Sequence, residues 1–272
     1  MIINLLCVGD VVGSPGRTIL ARALPRLVHE HDLHCTIVNA ENVASGSGLT
    51  PSLYQKLIDS GVDLMTMGDH VFRRTAIIET MESSGRIVRP ANLSPAAPGR
   101  EYVIFQTASG HQVALLSLLG RMYMRLPSDC PFRAADRVLS ALPKDVKIVV
   151  VDLHAEATSE KVAMGWYLDG RVSVLFGSHT HVPTADERIL PRGTAYITDV
   201  GMTGPHDSVL GRNKEPVIRS MTTNVPSPFD VATGDLRLNG IVVSVDSITG
   251  KATSIRRVAV SEDNVPEDAA KG

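Results

Sequence analysis

Five short blocks in this chain carry side chains that bind metals and move protons: Gly9-Asp10, Asn39-Ala40-Glu41-Asn42, Gly68-Asp69-His70, Asp152-Leu153-His154 and Gly177-Ser178-His179-Thr180-His181. Each directly follows a run of β-branched and aliphatic residues, so each stands at the end of an expected strand. Carboxylates, amides and imidazoles are oxygen and nitrogen donors of intermediate hardness, which suits iron, manganese or zinc better than calcium or copper. A carboxylate can bridge two ions. Two ions held about 3.5–4 Å apart clamp the attacking and leaving oxygens of a phosphoryl displacement and draw the pKa of a shared water towards neutrality. Pooled, the blocks are expected to form one two-metal site working through metal-activated hydroxide.

Pooling requires distant segments to converge, and the elements between the blocks supply the means. Apolar strand runs alternate with helical stretches, a pattern that predicts a mostly parallel sheet whose carboxyl ends open on one ligand-binding edge. Ile2–Val8 reads as a strand, followed by a helix opening at Pro15 with Ile19, Leu20, Ala23, Leu24 and Leu27 on one face. Residues 35–39 form the next strand, and Thr50 with Pro51 starts the helix after it. Further strands are expected at 62–67, 146–151, 172–176 and 195–198, with a helix over 157–164. Two hairpins complete the pattern, Tyr102–Gln106 with Gln112–Leu119, and residues 236–245 with 253–260. Residues 203–213 read as a loop on the active side.

Composition bounds the rest. A chain of 272 residues, 43% of them hydrophobic, can bury an ample core; it is expected to form one domain over 1–261 with a polar, frayed tail from 262 to 272. The formal net charge of −2 argues against a general groove for nucleic acid polymers. Cys7 and Cys35 fall inside strands and Cys130 in a Pro-flanked loop; with no metal-type spacing they read as reduced, which points to the cytoplasm. No run has the length of a membrane span or the layout of a signal peptide.

The ordered blocks Gly-Asp-Val-Val-Gly, Asn-Ala-Glu-Asn, Gly-Asp-His, Arg-Pro-Ala-Asn, Asp-Leu-His-Ala-Glu-Ala-Thr-Ser-Glu-Lys, Gly-Ser-His-Thr-His-Val-Pro-Thr-Ala-Asp and Ile-Thr-Asp-Val-Gly-Met-Thr-Gly-Pro cover nearly the whole chain. In this order they resemble the YmdB-type family of bacterial metallophosphoesterases. The resemblance implies an α/β, calcineurin-like fold, a mixed two-sheet sandwich flanked by helices, and hydrolysis of small phosphodiesters, notably 2′,3′-cyclic nucleotides. It implies Asp10, Asn42 and His181 on one metal, Glu41 as bridge, Asp69, His154 and His179 on the other, and His70 as catalytic acid. The two ions would be iron foremost, or manganese or zinc. A low-turnover nucleotide-binding regulator is the alternative, and a phosphomonoesterase or nuclease of the same superfamily another. Oligomeric state, a homo-oligomer included, is left open.

The resemblance breaks at Asp69, where the family usually has Asn. Ionised Asp accepts only, whereas Asn also donates, so the change adds negative charge beside a site for an anionic substrate. Other polar residues take ordinary expectations. His29, His31 and His34 suit the dipole at a helix end, and His111 sits solvated in a hairpin turn. Asp199 braces Thr198 or a ligand histidine. Glu156 and Glu160 face solvent or cap the following helix. Arg17, Arg89 and Arg121 make surface salt bridges, and Met65 and Met67 fill core. No substrate-binding residue is assigned; His206, beside Gly204-Pro205, is carried as a candidate on its loop position.

Overall fold

Strand Ile2–Val8 alternates its apolar side chains between two clusters, Ile3, Leu5 and Cys7 in one and Leu6 and Val8 in another. That period of two is the plan of the computed structural model, which describes residues 1–265. The first cluster takes side chains from both sheets, Leu5, Ile37 and Val243 from one and Leu115, Val150, Phe176 and Ile197 from the other, and fills the space between them. The opposite face of the first sheet packs against helix Gly13–His31 through Ile19, Leu20, Leu24 and Leu27. That of the second packs against Pro131–Ala141 and Thr158–Leu168 through Ala135, Val138, Met164 and Leu168. The result is the expected two-sheet sandwich flanked by helices.

Among the described residues, eight strands form the first sheet and six the second. Ile2–Val8, Leu33–Asn39, Leu64–Thr66 and Ile87–Val88 lie side by side and parallel, with Leu236–Asp246 antiparallel on the far flank of Ile2–Val8. In the second sheet Gln112–Leu119, Ile148–His154, Val174–Ser178 and Ala195–Ile197 are parallel, with antiparallel strands at both edges. Both hairpins form as the sequence predicts. The Thr50 hydroxyl accepts from the Leu53 amide and Pro51 follows it, a cap worth about 1 kcal/mol.

Three helices escape the sequence reading: Ile78–Ser83, Pro131–Ala141 and Lys214–Thr223. Pro131, taken as a loop marker beside Cys130, occupies the first helical position, where a missing N–H costs nothing. Lys214–Thr223 buries Val217 alone and so has no apolar stripe to detect. The expected loop at 203–213 begins inside a strand, Met202–Pro205, which pairs with Asp10–Val11. The tail expected to fray from 262 starts with a single 3₁₀ turn, Glu262–Asn264, and Val265 is buried with its carbonyl accepting from Arg22 at 2.7 Å. Its remainder, 266–272, lies outside the described residues.

Candidate metal centre

Parallel strands in both sheets aim their carboxyl ends at one place. From the first sheet, Asp10 follows Ile2–Val8, Glu41 and Asn42 follow Leu33–Asn39, and Asp69 and His70 follow Leu64–Thr66. From the second, His154 ends Ile148–His154, and His179 and His181 follow Val174–Ser178. The backbone comes very close: a Cβ on Gly68 would collide with the Glu41 carboxylate and the His154 ring, and one on Gly177 with the Thr198 carbonyl. Only glycine fits at these positions, which gives the Gly-Asp-His and Gly-Ser-His blocks a steric reason.

The seven expected ligands gather in two groups that share Glu41. In the first, one donor atom each from Glu41, Asp69, His154 and His179 lies within 4.8 Å of the others. His154 Nε2 is 3.2 Å from Glu41 Oε1, 3.1 Å from Asp69 Oδ1 and 3.0 Å from His179 Nδ1. In the second, the Asn42 amide nitrogen faces three acceptors: Asp10 Oδ1 at 3.5 Å, Glu41 Oε1 at 3.3 Å and His181 Nε2 at 3.2 Å. A lone NH₂ surrounded by acceptors stands where a cation would satisfy all three, and rotating the amide would add its oxygen to that set. His70 lies over the shared carboxylate, its N–H donating to Glu41 Oε2 at 3.0 Å and its Nδ1 paired with Asn42 Oδ1 at 2.7 Å.

Electrostatics and tautomers agree with a cation at this place. Burial alone would lower the His154 pKa, but Glu41, Asp69 and Asp10 hold it well above the ordinary imidazole value. Burial likewise opposes ionisation of Glu41 and Asp69, yet the histidines hold both carboxyls below their usual range. The pocket thus demands positive charge, which a metal supplies without occupying the imidazole lone pair with a proton. Behind His154 a buried chain fixes its tautomer. Ser178 Oγ donates to Asp152 Oδ1 at 2.6 Å and therefore accepts from His154 Nδ1 at 2.9 Å, leaving Nε2 to face the cluster. The Asp152 carboxyl is pushed up to about 6 by burial, against His154 and hydrogen bonds from Ser178, Thr66 and Asn39. His181 is oriented the same way, its Nδ1 donating to the Leu210 carbonyl at 3.1 Å.

An extended His-x-His segment would place both rings on one side by alternation, but here the strand stops at Ser178 and His179 and His181 take φ of 94° and 65°. Left-handed backbone is costly for such residues, but it lets one ring join Asp69 and His154 while the other joins Asp10 and Asn42. The turn is locked from below. Lys161, fully buried, donates to Asp199 Oδ2 at 2.6 Å and to the Ser178 carbonyl at 2.8 Å, and the same carboxylate oxygen accepts from the Thr180 hydroxyl at 2.8 Å. Asp199 therefore braces Thr180, between the two histidines, rather than Thr198.

Several other expectations change. His206 is half-buried with Nδ1 on the Gly204 carbonyl and Nε2 on the Asn239 amide, so neither nitrogen is free for substrate. Glu156, half-exposed, reaches His179 Nε2 at 3.2 Å, and Glu160 accepts the amides of Arg121 and Met122. Arg17 donates to the Val43 carbonyl, and Arg89 is buried, holding Ala97, Pro90 and Glu101. His31 Nδ1 accepts from the Arg256 guanidinium at 2.6 Å, and burial and that cation lower its pKa. The sequence reading missed Asn39, Thr66, Asp152 and Ser178 as a support layer, together with Lys161 from helix Thr158–Leu168; for the first four the signal was polar residues in otherwise apolar strands.

The model of the YmdB-like protein family matches residues 6–258. The chain belongs to this family. It is 45% identical over 262 residues to the 2′,3′-cyclic-nucleotide 2′-phosphodiesterase of Bacillus subtilis, covering 96% of this chain and 98% of that one. It is 35% identical to a putative phosphatase/phosphodiesterase of Mycoplasma pneumoniae, covering 96% and 94%. Among solved structures, a novel phosphatase from Mycoplasma pneumoniae superposes with a TM-score of 0.90 at 34% identity, covering 96% of this chain and 94% of that one. A hypothetical protein from Thermus thermophilus gives 0.89 at 37%, covering 96% and 100%. Both solved structures therefore share the fold over nearly the whole of this chain.

Proposed function

We propose that this protein is a dinuclear metal-dependent phosphodiesterase acting on small phosphodiesters such as 2′,3′-cyclic nucleotides. The observation that carries the reading is the shared position of Glu41 between the two donor groups. Asp10, Asn42 and His181 would hold one ion, and Asp69, His154 and His179 the other, with iron, manganese or zinc suited to the donors. Bound there, the ions would supply Lewis acidity and bring a water near ionisation at neutral pH.

The remaining chemistry falls to the chain. His70 Nδ1 is held by Asn42, while Nε2 has only Asp69 at 4.0 Å, and the side chain is 27% exposed. That nitrogen is available to give a proton to the departing ribose oxygen, a step for which imidazole is the side chain best matched at neutral pH. The relative from Bacillus subtilis bears the name of this activity. Protein reconstituted with manganese or iron should hold two ions per chain and hydrolyse 2′,3′-cyclic AMP and bis(p-nitrophenyl) phosphate. Tight nucleotide binding without turnover would overturn the enzymatic reading in favour of a regulator.

A further inference from the structure

Beside the candidate centre lies a cavity of about 270 Å³ lined by Asp69, Val71, Phe72, Arg73, Arg125 and Leu126. Asp69 belongs both to the donor cluster and to this wall, so the cavity continues directly from the centre. Its floor is built. Phe72 and Leu126 are partly buried and pack on the hydrophobic core, as does Met124 on the same loop. That loop is pinned at its start, where the Glu160 carboxylate accepts the amides of Arg121 and Met122. Arg73 and Arg125 reach in from two different segments, and among the described residues neither guanidinium has a hydrogen bond or ion pair to the protein.

Two unpartnered guanidiniums over an anchored aromatic floor, adjoining the place proposed for the scissile ester, fit a particular ligand chemistry. Guanidinium pairs with phosphate oxygens in a fork geometry, and Phe72 offers a flat apolar surface. The carboxylate of Asp69 at the inner end limits the anion to the outer part, near the arginines. We propose that this cavity binds a second phosphate of the substrate, one nucleotide unit from the phosphodiester that is cleaved. The proposal rests on the phosphodiesterase reading above. The second phosphate could be the 5′-phosphate of a mononucleotide or the next linkage of a short RNA ending in a 2′,3′-cyclic phosphate.

The test compares kcat/KM for three substrates: 2′,3′-cyclic AMP, its 5′-phosphorylated form, and a diadenylate ending in a 2′,3′-cyclic phosphate. The wild-type protein should favour one or both of the phosphorylated substrates by about tenfold, through KM, as expected for losing a charge-assisted contact. Preference for the mononucleotide form alone identifies a 5′-phosphate, and preference for the diadenylate alone an RNA end. The double variant Arg73→Ala/Arg125→Ala should bring all three substrates to the value for 2′,3′-cyclic AMP, itself unchanged. Equal values on the wild type, or a preference that survives the double variant, would overturn the proposal. A calorimetric titration with adenosine 3′,5′-bisphosphate separates this failure from that of the enzymatic reading. If no substrate is turned over, binding that weakens about tenfold in the double variant still supports the cavity, and no binding, or binding left unchanged by the double variant, refutes it.

Discussion

The inner and outer sides of the centre are built on opposite principles. On the inner side His154 is fully buried, and behind it Ser178, Asp152, Asn39 and Thr66 form a closed set of hydrogen bonds inside the strands. On the outer side His70, Asp69 and His179 are partly open, rest on loops just past strand ends, and make longer contacts with one another. Burial raises the cost of any unpaired polar atom, so the inner side must be complete before an ion arrives. The outer side keeps atoms such as His70 Nε2 uncommitted. The contrast suits orientation of the proposed ligands to the inner residues and leaves His70, on the outer side, as the proposed proton donor, so substitutions on the two sides should fail differently.

The largest effect should come from the carboxylate common to both groups. Glu41→Gln keeps the shape but removes the shared charge; several kcal/mol of transition-state stabilisation corresponds to a loss of about 10³-fold in kcat, with fewer than two ions bound per chain by metal analysis. Two ions and near-normal turnover in that variant would break the description of Glu41 as the link. His70→Ala should retain both ions yet lose about 10²-fold in kcat on 2′,3′-cyclic AMP. On bis(p-nitrophenyl) phosphate, whose nitrophenolate leaves without a proton, the loss should be far smaller. An equal loss on both substrates would remove the proton from the outer side. Ser178→Ala releases the His154 tautomer and should weaken metal binding about tenfold, read by competition with a chelator, while kcat at saturating metal stays close to wild type. A kcat defect that excess metal does not repair would contradict the assignment of Ser178 to orientation.

The same division explains what was legible in the sequence. Residues at strand ends were readable because glycine and ligand-type side chains following apolar runs make a pattern of their own, and Asp10, Glu41, Asn42, Asp69, His154, His179 and His181 do meet. The two-sheet sandwich was implied by the resemblance, whereas strand alternation alone suggested only a parallel sheet. The support roles were hidden: Thr66 sits inside a strand run, and Asp152 and Ser178, though part of the strand-end blocks, could not be told from ligands or solvated residues until burial was known. The backbone at His179 and His181 was out of reach for another reason. Left-handed φ at histidine carries no local sequence mark and is imposed by tertiary contacts such as Lys161 with Asp199 and Ser178. Pro131 misled because one residue type serves both loops and first helical positions.

The smallest effect expected tests the outer side at Asp69, where the family resemblance implies Asn. Asp69 Oδ1 lies 3.1 Å from His154 Nε2 and 3.5 Å from His179 Nδ1, so either oxygen-bearing side chain, Asp or Asn, can serve this donor group. Its second oxygen stands 4.0 Å from His70 Nε2, the atom assigned to proton donation. An anion there repels a phosphodiester. Asn would keep a carbonyl for the cluster and turn an NH₂ towards substrate. Asp69→Asn should therefore raise turnover of 2′,3′-cyclic AMP by about threefold, a fraction of the roughly 1.4 kcal/mol that a factor of ten represents, with both ions retained. Relief of repulsion reads as a lower KM. Equal or lower turnover in the Asn variant would mean that the extra charge of Asp69 is used in the reaction.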